Sequence, residues 1–332
     1  MLLITGGTGF IGSHITVDYL SNADDIVLID NLHNSSHDIL SKIQEITGKM
    51  PTFEHIDCCD LVQLRSIFQK YEIHEIIHCA GYKAVGESKH EPLKYYQNNL
   101  ISTLNLIQCV KESGSVKKFI FSSSATVYGI PSILPIPEKH SKSAMSPYGQ
   151  TKSMIEDILI DCAAVMKQTD FIILRYFNPV GSHPSGLIPE IPAVYPNNLF
   201  PAILFTIEGK MPFLKIFRSG NGETPDGTGI RDYIYVCDLA RAHILCLNMN
   251  CETNVKILNV GCGRGYSTLE VFDEFQRQLG KEIPYEIHPA REGDVPICIA
   301  DITEWRKHFD WFPETSLQES VRTALFSIYK DK

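Results

Sequence analysis

The sequence predicts an α/β fold: a doubly wound parallel sheet of Rossmann type with a smaller α/β substrate-binding lobe. Three observations carry that prediction. Short apolar runs alternate with amphipathic stretches through the first half, a glycine-rich turn follows the first run, and prolines crowd the chain beyond residue 178. Alternation of this kind buries a parallel sheet between two layers of helices. The chain has 332 residues, 44% of them hydrophobic and 21% charged. That length suits roughly two lobes of about 150 residues, each with its own core.

The elements follow in order. Leu2–Thr5, Ile26–Asp30, Ile73–His78, Lys118–Ser122 and Phe171–Tyr176 are short, nearly continuous apolar runs and read as buried strands. Stretches near 11–21, 61–70, 94–112 and 147–167 carry helical periodicity between them. Between 178 and 201, Pro179, Pro184, Pro189, Pro192, Pro196 and Pro201 interrupt any regular element. Leu187, Ile188, Ile191, Val194, Tyr195, Leu199 and Phe200 are interspersed, which indicates an ordered, loop-rich lobe rather than a disordered linker. Tyr233–Met249 and Lys256–Val260 read as a helix and a strand again. The expected division is therefore 1–178 and 179–332, with a return to the first domain around 233–260.

Lys and Arg number 30 against 39 Asp and Glu, a net charge of −9. Net acidity counts against a nucleic-acid partner. No apolar run approaches the roughly 20 residues of a membrane span, and Met1–Ile4 is too short for a signal-peptide core. No pair among the ten cysteines has C-x-x-C spacing, so reduced thiols and a cytoplasmic location are expected. No Lys or Arg precedes Lys42, whereas Asp18, Asp24, Asp25, Asp30 and Asp38 do. An anion held in this stretch needs backbone amides, or a cation brought from elsewhere.

Thr5-Gly6-Gly7-Thr8-Gly9-Phe10-Ile11-Gly12 supplies the amides. It satisfies G-x-G-x-x-G through Gly7, Gly9 and Gly12, and G-x-x-G-x-x-G through Gly6, Gly9 and Gly12. Such glycines allow a tight turn and close approach of a pyrophosphate to the start of a helix. The next strand ends in Asp30, 18 residues after Gly12. An acid there accepts hydrogen bonds from an adenosine ribose and repels a 2′-phosphate, which favours NAD over NADP. No Walker lysine follows, which counts against a nucleoside triphosphatase.

Ser146-Pro147-Tyr148-Gly149-Gln150-Thr151-Lys152 places Ser at an N-cap and Pro at the first helical position. Tyr148 and Lys152 then share a helix face. A phenol is a poor base at neutral pH; lowering its pKa by about 3 units requires roughly 4 kcal/mol of differential stabilisation. An ammonium and a cationic nicotinamide are the expected sources. Phe121-Ser122-Ser123-Ser124-Ala125-Thr126-Val127-Tyr128-Gly129 ends a strand in hydroxyls, at the edge where open α/β sheets place their sites.

With these motifs in place, the sequence resembles the extended short-chain dehydrogenase/reductase superfamily, and within it the UDP-glucose 4-epimerase family. The resemblance runs from end to end. Beyond the glycine turn, the serine strand and Tyr148/Lys152, it includes His78-Cys79-Ala80-Gly81-Tyr82-Lys83-Ala84-Val85-Gly86-Glu87-Ser88 and Arg175-Tyr176-Phe177-Asn178-Pro179-Val180-Gly181. Later come Pro196-Asn197-Asn198-Leu199, Asp226-Gly227-Thr228-Gly229-Ile230-Arg231-Asp232-Tyr233 and Arg291-Glu292-Gly293-Asp294. The resemblance implies that Tyr148 removes the proton of the sugar 4-hydroxyl. Lys152 would lower its pKa and bond the nicotinamide ribose, and Ser124 would bond the reacting oxygen. NAD would be retained while a 4-keto sugar turns over in the site. Lys83 would be the distant cation for the pyrophosphate, and Asn31, Asp57, Cys58, Asn98, Ser122 and Tyr176 further cofactor contacts. Phe177, Asn178, Asn198, Leu199, Arg231, Arg291 and Asp294 would hold the UDP-sugar, together with Lys83, Ser124 and Tyr148. A homodimer is also implied.

Two further signals need weighing. His74-Glu75-Ile76-Ile77-His78 matches the zincin string H-E-x-x-H, but as a strand it would hold its histidines about 13 Å apart, and no metal site is expected. Cys298 lies in a run resembling the wall of the sugar pocket, where some relatives have tyrosine. A small residue there leaves room for N-acetylated UDP-hexosamines, although simple packing accounts for it equally well. Two other functions compete. Nucleotide-sugar 4,6-dehydratases have an acidic pair where this chain has Ala125 and Thr126, and a catalytically silent NAD-binding protein could dispense with Ser124, Tyr148 or Lys152.

Overall fold

The computed structural model describes residues 1–190, 196, 198–220, 223–291 and 293–330. Ile191, Pro192, Val194 and Tyr195 of the loop-rich stretch, and Asn197 and Glu292 of the later motifs, lie outside the described residues. The chain runs β1 (Leu2–Thr5), α1 (Phe10–Leu20), β2 (Ile26–Asp30), α2 (Asp38–Thr47), β3 (Thr52–His55), α3 (Leu61–Lys70), β4 (Glu75–His78), α4 (Val85–His90), α5 (Pro92–Ser113), β5 (Lys118–Ser124), α6 (Pro147–Val165) and β6 (Asp170–Tyr176). It continues through β7 (Asn178–Val180), α7 (Leu199–Ile207), β8 (Leu214–Phe217), β9 (Ile230–Tyr235), α8 (Val236–Leu247) and β10 (Val255–Val260). Then come β11 (Gly265–Ser267), α9 (Thr268–Leu279), β12 (Tyr285–His288), β13 (Ile297–Cys298), α10 (Thr303–His308) and α11 (Leu317–Tyr329).

Seven strands form one sheet in the order β10-β6-β5-β4-β1-β2-β3. β1 pairs in parallel with both β2 and β4, so the strand order reverses beside it, the topological switch point at which open α/β sheets bind ligands. Every residue of β1 and β2 is buried, as continuous apolar strands covered on both faces must be. Leu3, Val27, Ile29, Ile76, Phe119, Phe121 and Ile173 form one core with Leu106 and Val110 of α5 and Ile155 and Leu159 of α6. Full burial of each such side chain stabilises the fold by about 2 kcal/mol.

The chain divides into two compact units: Met1–Val127, Lys142–Arg175 and Ala240–Leu258 in the first, Tyr128–Ser141, Tyr176–Leu239 and Asn259–Lys332 in the second. The sequence reading cuts the chain at 178 with a return around 233–260; these units cut it at Arg175 and give Tyr128–Ser141 to the second. In the second unit, β9 pairs antiparallel with β11 and parallel with β13 and β7. A separate parallel pair joins β8 and β12. Phe200, Ile203, Tyr233, Phe272, Phe275 and Val321 fill the core of this unit.

One assigned segment changes type, and several elements are added to the sequence reading, such as α2, α4, α7 and β3. Residues 233–235 are strand, not helix: they pair with Asn178–Val180, and the helix begins at Val236. Strand β3 has no apolar run to mark it in the sequence, because Thr52 and His55 are exposed at the sheet edge. No helix among the described residues is long and apolar enough to cross a membrane.

Candidate active site

The glycine turn connects β1 to α1. Gly6 has φ +67°, and a Cβ there would lie 2.9 Å from the Ala80 nitrogen. A Cβ at Gly12 would lie 2.2 Å from the Gly6 carbonyl oxygen. Only hydrogen fits at either position. Gly9 caps α1 with no side-chain hydrogen bond, and no acid sits in the first turn. The N–H groups opening the helix, with Phe10 and Ile11 among them, are thus presented to an anion. Lys83, exposed, places its Nζ 5.8 Å from the centre of the Phe10 ring, a cation delivered to a stretch that has none of its own. Gly7 is buried beside Leu28. The turn fits a dinucleotide pyrophosphate.

Asp30 is buried at the end of β2 and accepts from the Thr8 amide (3.2 Å), the Leu32 amide (2.9 Å) and the Ser35 hydroxyl (3.2 Å). A carboxylate has about four acceptor directions, so one remains for a ribose hydroxyl. Leu32 has φ +57°, alone in that among the described non-glycine residues. Asp57 accepts from the Asn31 side-chain amide at 3.0 Å and from the Cys59 backbone amide at 2.8 Å. Burial works to raise the Asp57 carboxyl, but these hydrogen bonds outweigh it and hold the group below its usual range. Asn98 points its amide at Cys59 Sγ, 3.8 Å away. The Cys58 side chain turns into the core, and burial pushes its thiol up.

Ser146 caps α6 by accepting from the Gly149 amide at 3.1 Å, with Pro147 at the first helical position. Tyr148 and Lys152 face inward, both buried. Lys152 Nζ donates to the Ser122 carbonyl at 2.8 Å and lies 6.0 Å from the centre of the Tyr148 ring. Burial pushes this ammonium down to about 8, with the neighbouring Cys79 and Glu156 side chains acting in the opposite direction. Tyr148 hydrogen-bonds Ser124. Ser124 Oγ accepts from the Thr126 amide (3.2 Å) and hydroxyl (3.0 Å), which leaves its own proton for the tyrosine oxygen. Thr126, which the sequence reading used only to argue against other functions, orients Ser124.

The chain's own groups do not produce the lowered tyrosine pKa expected from sequence. Burial pushes Tyr148 up to about 12, outweighing the bond from Ser124. Ser122 also differs from a simple cofactor contact: its hydroxyl lies between Cys79 Sγ (3.2 Å) and His243 Nε2 (3.1 Å), and its carbonyl is what meets Lys152. The zincin-like histidines have separate partners. His78 is buried between the Thr5 and Thr103 hydroxyls, whereas His74 Nε2 faces Glu72.

In the second unit, Tyr176 and Phe177 are buried, and the Phe177 amide bonds the Val260 carbonyl at 3.2 Å. Asn178 is exposed at the start of β7. Asn198 precedes α7 and donates to Glu190 at 3.0 Å, while Leu199 packs on the core. Arg231 and Asp294 pair at 2.9 Å, and Arg231 also donates to the Ile230 carbonyl. Cys298 stands in register with Arg231, and burial pushes its thiol up to about 11. The Arg291 guanidinium lies 3.7 Å from the centre of the Phe217 ring. Nothing near Phe217 in the sequence points to that contact, and only the fold reveals it. Asp232 accepts from the amides of Cys262, Gly263 and Ala300, and burial raises it to about 6.

A dinucleotide cradle at the switch point, with a buried serine, tyrosine and lysine on the next elements, defines an enzyme of the short-chain dehydrogenase/reductase type. Residues 2–261 match the NAD dependent epimerase/dehydratase family, and the chain belongs to it. A UDP-glucose 4-epimerase from Bacillus subtilis is 46% identical over 96% of this chain and 94% of its own length. The crystal structure of UDP-glucose 4-epimerase from Bifidobacterium longum in complex with NAD+ and UDP superposes with a TM-score of 0.95 at 40% identity, covering 99% of this chain and 98% of that one. The UDP-Glc/GlcNAc 4-epimerase from Campylobacter jejuni gives a TM-score of 0.85 at 32% identity, covering 99% of each chain.

Proposed function

We propose that this chain is an NAD-dependent UDP-hexose 4-epimerase that interconverts UDP-galactose and UDP-glucose. The Thr126–Ser124–Tyr148 hydrogen-bond chain, with buried Lys152 beside it, carries the reading. The glycine turn, Lys83, Asp30, Asn31, Asp57, Asn98 and Tyr176 hold the cofactor, with backbone contacts from Cys58 and Ser122. NAD, when bound, supplies a hydride acceptor for the sugar C4 and a positive ring charge that favours the tyrosine phenolate. Tyr148 takes the proton of the 4-hydroxyl at its phenolic oxygen and returns it. Ser124 donates to the same sugar oxygen as it becomes a carbonyl, and Lys152 steadies the negative charge on Tyr148. Arg231, Arg291, Asp294, Phe177, Asn178, Asn198 and Leu199 anchor the UDP portion, so that a 4-keto sugar presents either face without leaving.

Ala125 and Thr126 occupy the positions where a 4,6-dehydratase needs an acidic pair. Thr126 is committed to Ser124, which favours epimerisation over water elimination. Cys298, half-buried beside Arg231, is smaller than a tyrosine, which supports acceptance of a 2-acetamido group. A homodimer is supported by Leu93, Ile101 and Leu104, exposed on α5, and Met154, exposed on α6, which pack side by side. The protein acts in the cytoplasm, in galactose metabolism.

The test is incubation of purified protein with UDP-galactose and no added NAD, followed by NMR of the anomeric protons. UDP-glucose is the expected product. Its absence from protein shown to contain NAD overturns the reading, and a dehydrated 4-keto product transfers it to the dehydratases. Parallel assays with UDP-N-acetylgalactosamine compare the native protein with Cys298→Tyr. Loss of only the N-acetylated activity in the variant is expected, and equal rates remove the pocket-size idea.

A further inference from the structure

Three consecutive residues at the end of β5 are each fastened to a different turn of α6. Ser122 receives Lys152 on its carbonyl at 2.8 Å, and Ser124 bonds Tyr148. Between them, Ser123 Oγ donates to Glu156 Oε1 at 2.6 Å. Tyr148, Lys152 and Glu156 recur at intervals of four and so share one helix face. Glu156 and Ser123 are completely buried, and Arg175 on β6 is 3% exposed. The Arg175 fork closes on the same carboxylate, Nε to Oε1 at 2.9 Å and Nη2 to Oε2 at 2.5 Å. Lys142 Nζ stands 3.7 Å from Oε2. A buried carboxylate is costly unless its acceptor positions are filled, and here they are filled by groups from two strands.

We propose that Glu156 is a positioning residue for the reaction: clamped by Ser123 and Arg175, it sets the register of α6 against β5 and places a fixed negative charge one turn beyond Lys152. This rests on the epimerase reading above. The clamp leaves Tyr148 and Lys152 no freedom to slide along the strand that supplies Ser122 and Ser124. Its charge also helps keep Lys152 protonated in a buried site. The groups facing Lys152 are Tyr148 and Glu156 on its own helix, His78 at the end of β4 and Cys79 just after it, and the Ser122 carbonyl and Phe121 ring of β5. Burial holds His78 neutral, near 3, and Cys79 protonated, near 11. An alkaline fall of activity beginning near pH 8 would therefore report Lys152.

Three variants test the proposal in the NAD-loaded enzyme. Glu156→Gln should move the alkaline fall of kcat down by about 1 pH unit, as removal of an adjacent opposite charge does, with KM for UDP-galactose unchanged. NMR of isotope-labelled lysine, compared with Lys152→Met for assignment, should show the same displacement in the Nζ titration, independently of turnover. Glu156→Gln/Arg175→Met removes the orphaned guanidinium charge and should recover thermal stability but not the native pH profile. Recovery of the native profile in the double variant, or an undisplaced profile in the single one, overturns the charge role. Ser123→Ala keeps the ion pair and guards against failure of the others to fold. It should lower kcat severalfold with little change in melting temperature, and an unchanged kcat overturns the clamp. A native enzyme without epimerase activity would defeat the functional reading instead, whatever the lysine titration shows.

Discussion

Two regions of this chain are proposed to hold pyrophosphate, and they are built on opposite principles. The glycine turn of the first unit uses backbone amides at the start of α1, in a stretch of 41 residues without Lys or Arg. The second unit uses the guanidinium groups of Arg231 and Arg291, with Asp294 paired to Arg231 and Phe217 beneath Arg291. Amides at a helix terminus amount to about half a charge, fixed in direction and untitratable. Guanidinium groups carry full charges, but both arginines are solvent-accessible and screened by salt. One site works by excluding side chains, the other by presenting them.

The comparison is sharpened first by separating binding from chemistry. Tyr148→Phe should lower kcat by about 10²- to 10⁴-fold while bound NAD and UDP affinity stay unchanged. Loss of either ligand from this variant would show that the tyrosine belongs to an anion site rather than to proton transfer. Gly12→Ala puts a Cβ 2.2 Å from the Gly6 carbonyl. It should strip NAD from the purified protein and cost about 1–3 kcal/mol of stability. Full NAD content in that variant would break the claim that the first site depends on missing side chains.

Arg231→Ala should weaken UDP about 10- to 100-fold, the range for a hydrogen bond to a charged group, and leave NAD content as it was. Calorimetric titration at rising salt should weaken UDP more than NAD, and equal salt slopes would erase the distinction between the sites. A pH dependence is expected beside Arg231. Asp232 has a folded pKa of about 6, above its ordinary 3.8, so the native state binds the extra proton between those values. Its contribution to stability is therefore greatest below about pH 4 and falls as pH rises to about 6, by up to about 3 kcal/mol. Asp232→Asn should remove that slope from the melting temperature. It should also lower stability, because one amide oxygen cannot serve the Cys262, Gly263 and Ala300 donors together. An identical slope in the variant would assign the effect elsewhere.

Legibility in the sequence followed locality. The glycine turn, the cap at Ser146 with Pro147, and the Tyr148/Lys152 spacing each lie within one short segment, so pattern and backbone geometry are read together. α3 at Leu61–Lys70 coincides with the expected 61–70 for the same reason. Edge strand β3, exposed at both ends, offered no apolar run to read. Tyr233–Tyr235 reads as the start of a helix in sequence because its strand character depends on a partner at Asn178–Val180. The burial that raises the Tyr148 pKa in the chain alone is equally invisible in a sequence, which shows charged neighbours and not desolvation.

The sequence by itself determined the alternating α/β architecture, the glycine turn, the acid ending the second strand at Asp30 and the shared helix face of Tyr148 and Lys152. Each is fixed by local periodicity or by residue types that a backbone conformation demands. Tertiary structure alone decided that Glu156 meets Ser123 and Arg175, that Lys152 rests on the Ser122 carbonyl, and that Arg291 lies over Phe217. Those contacts join segments distant along the chain, and their strength comes from desolvation, which exists only once the chain has folded around them.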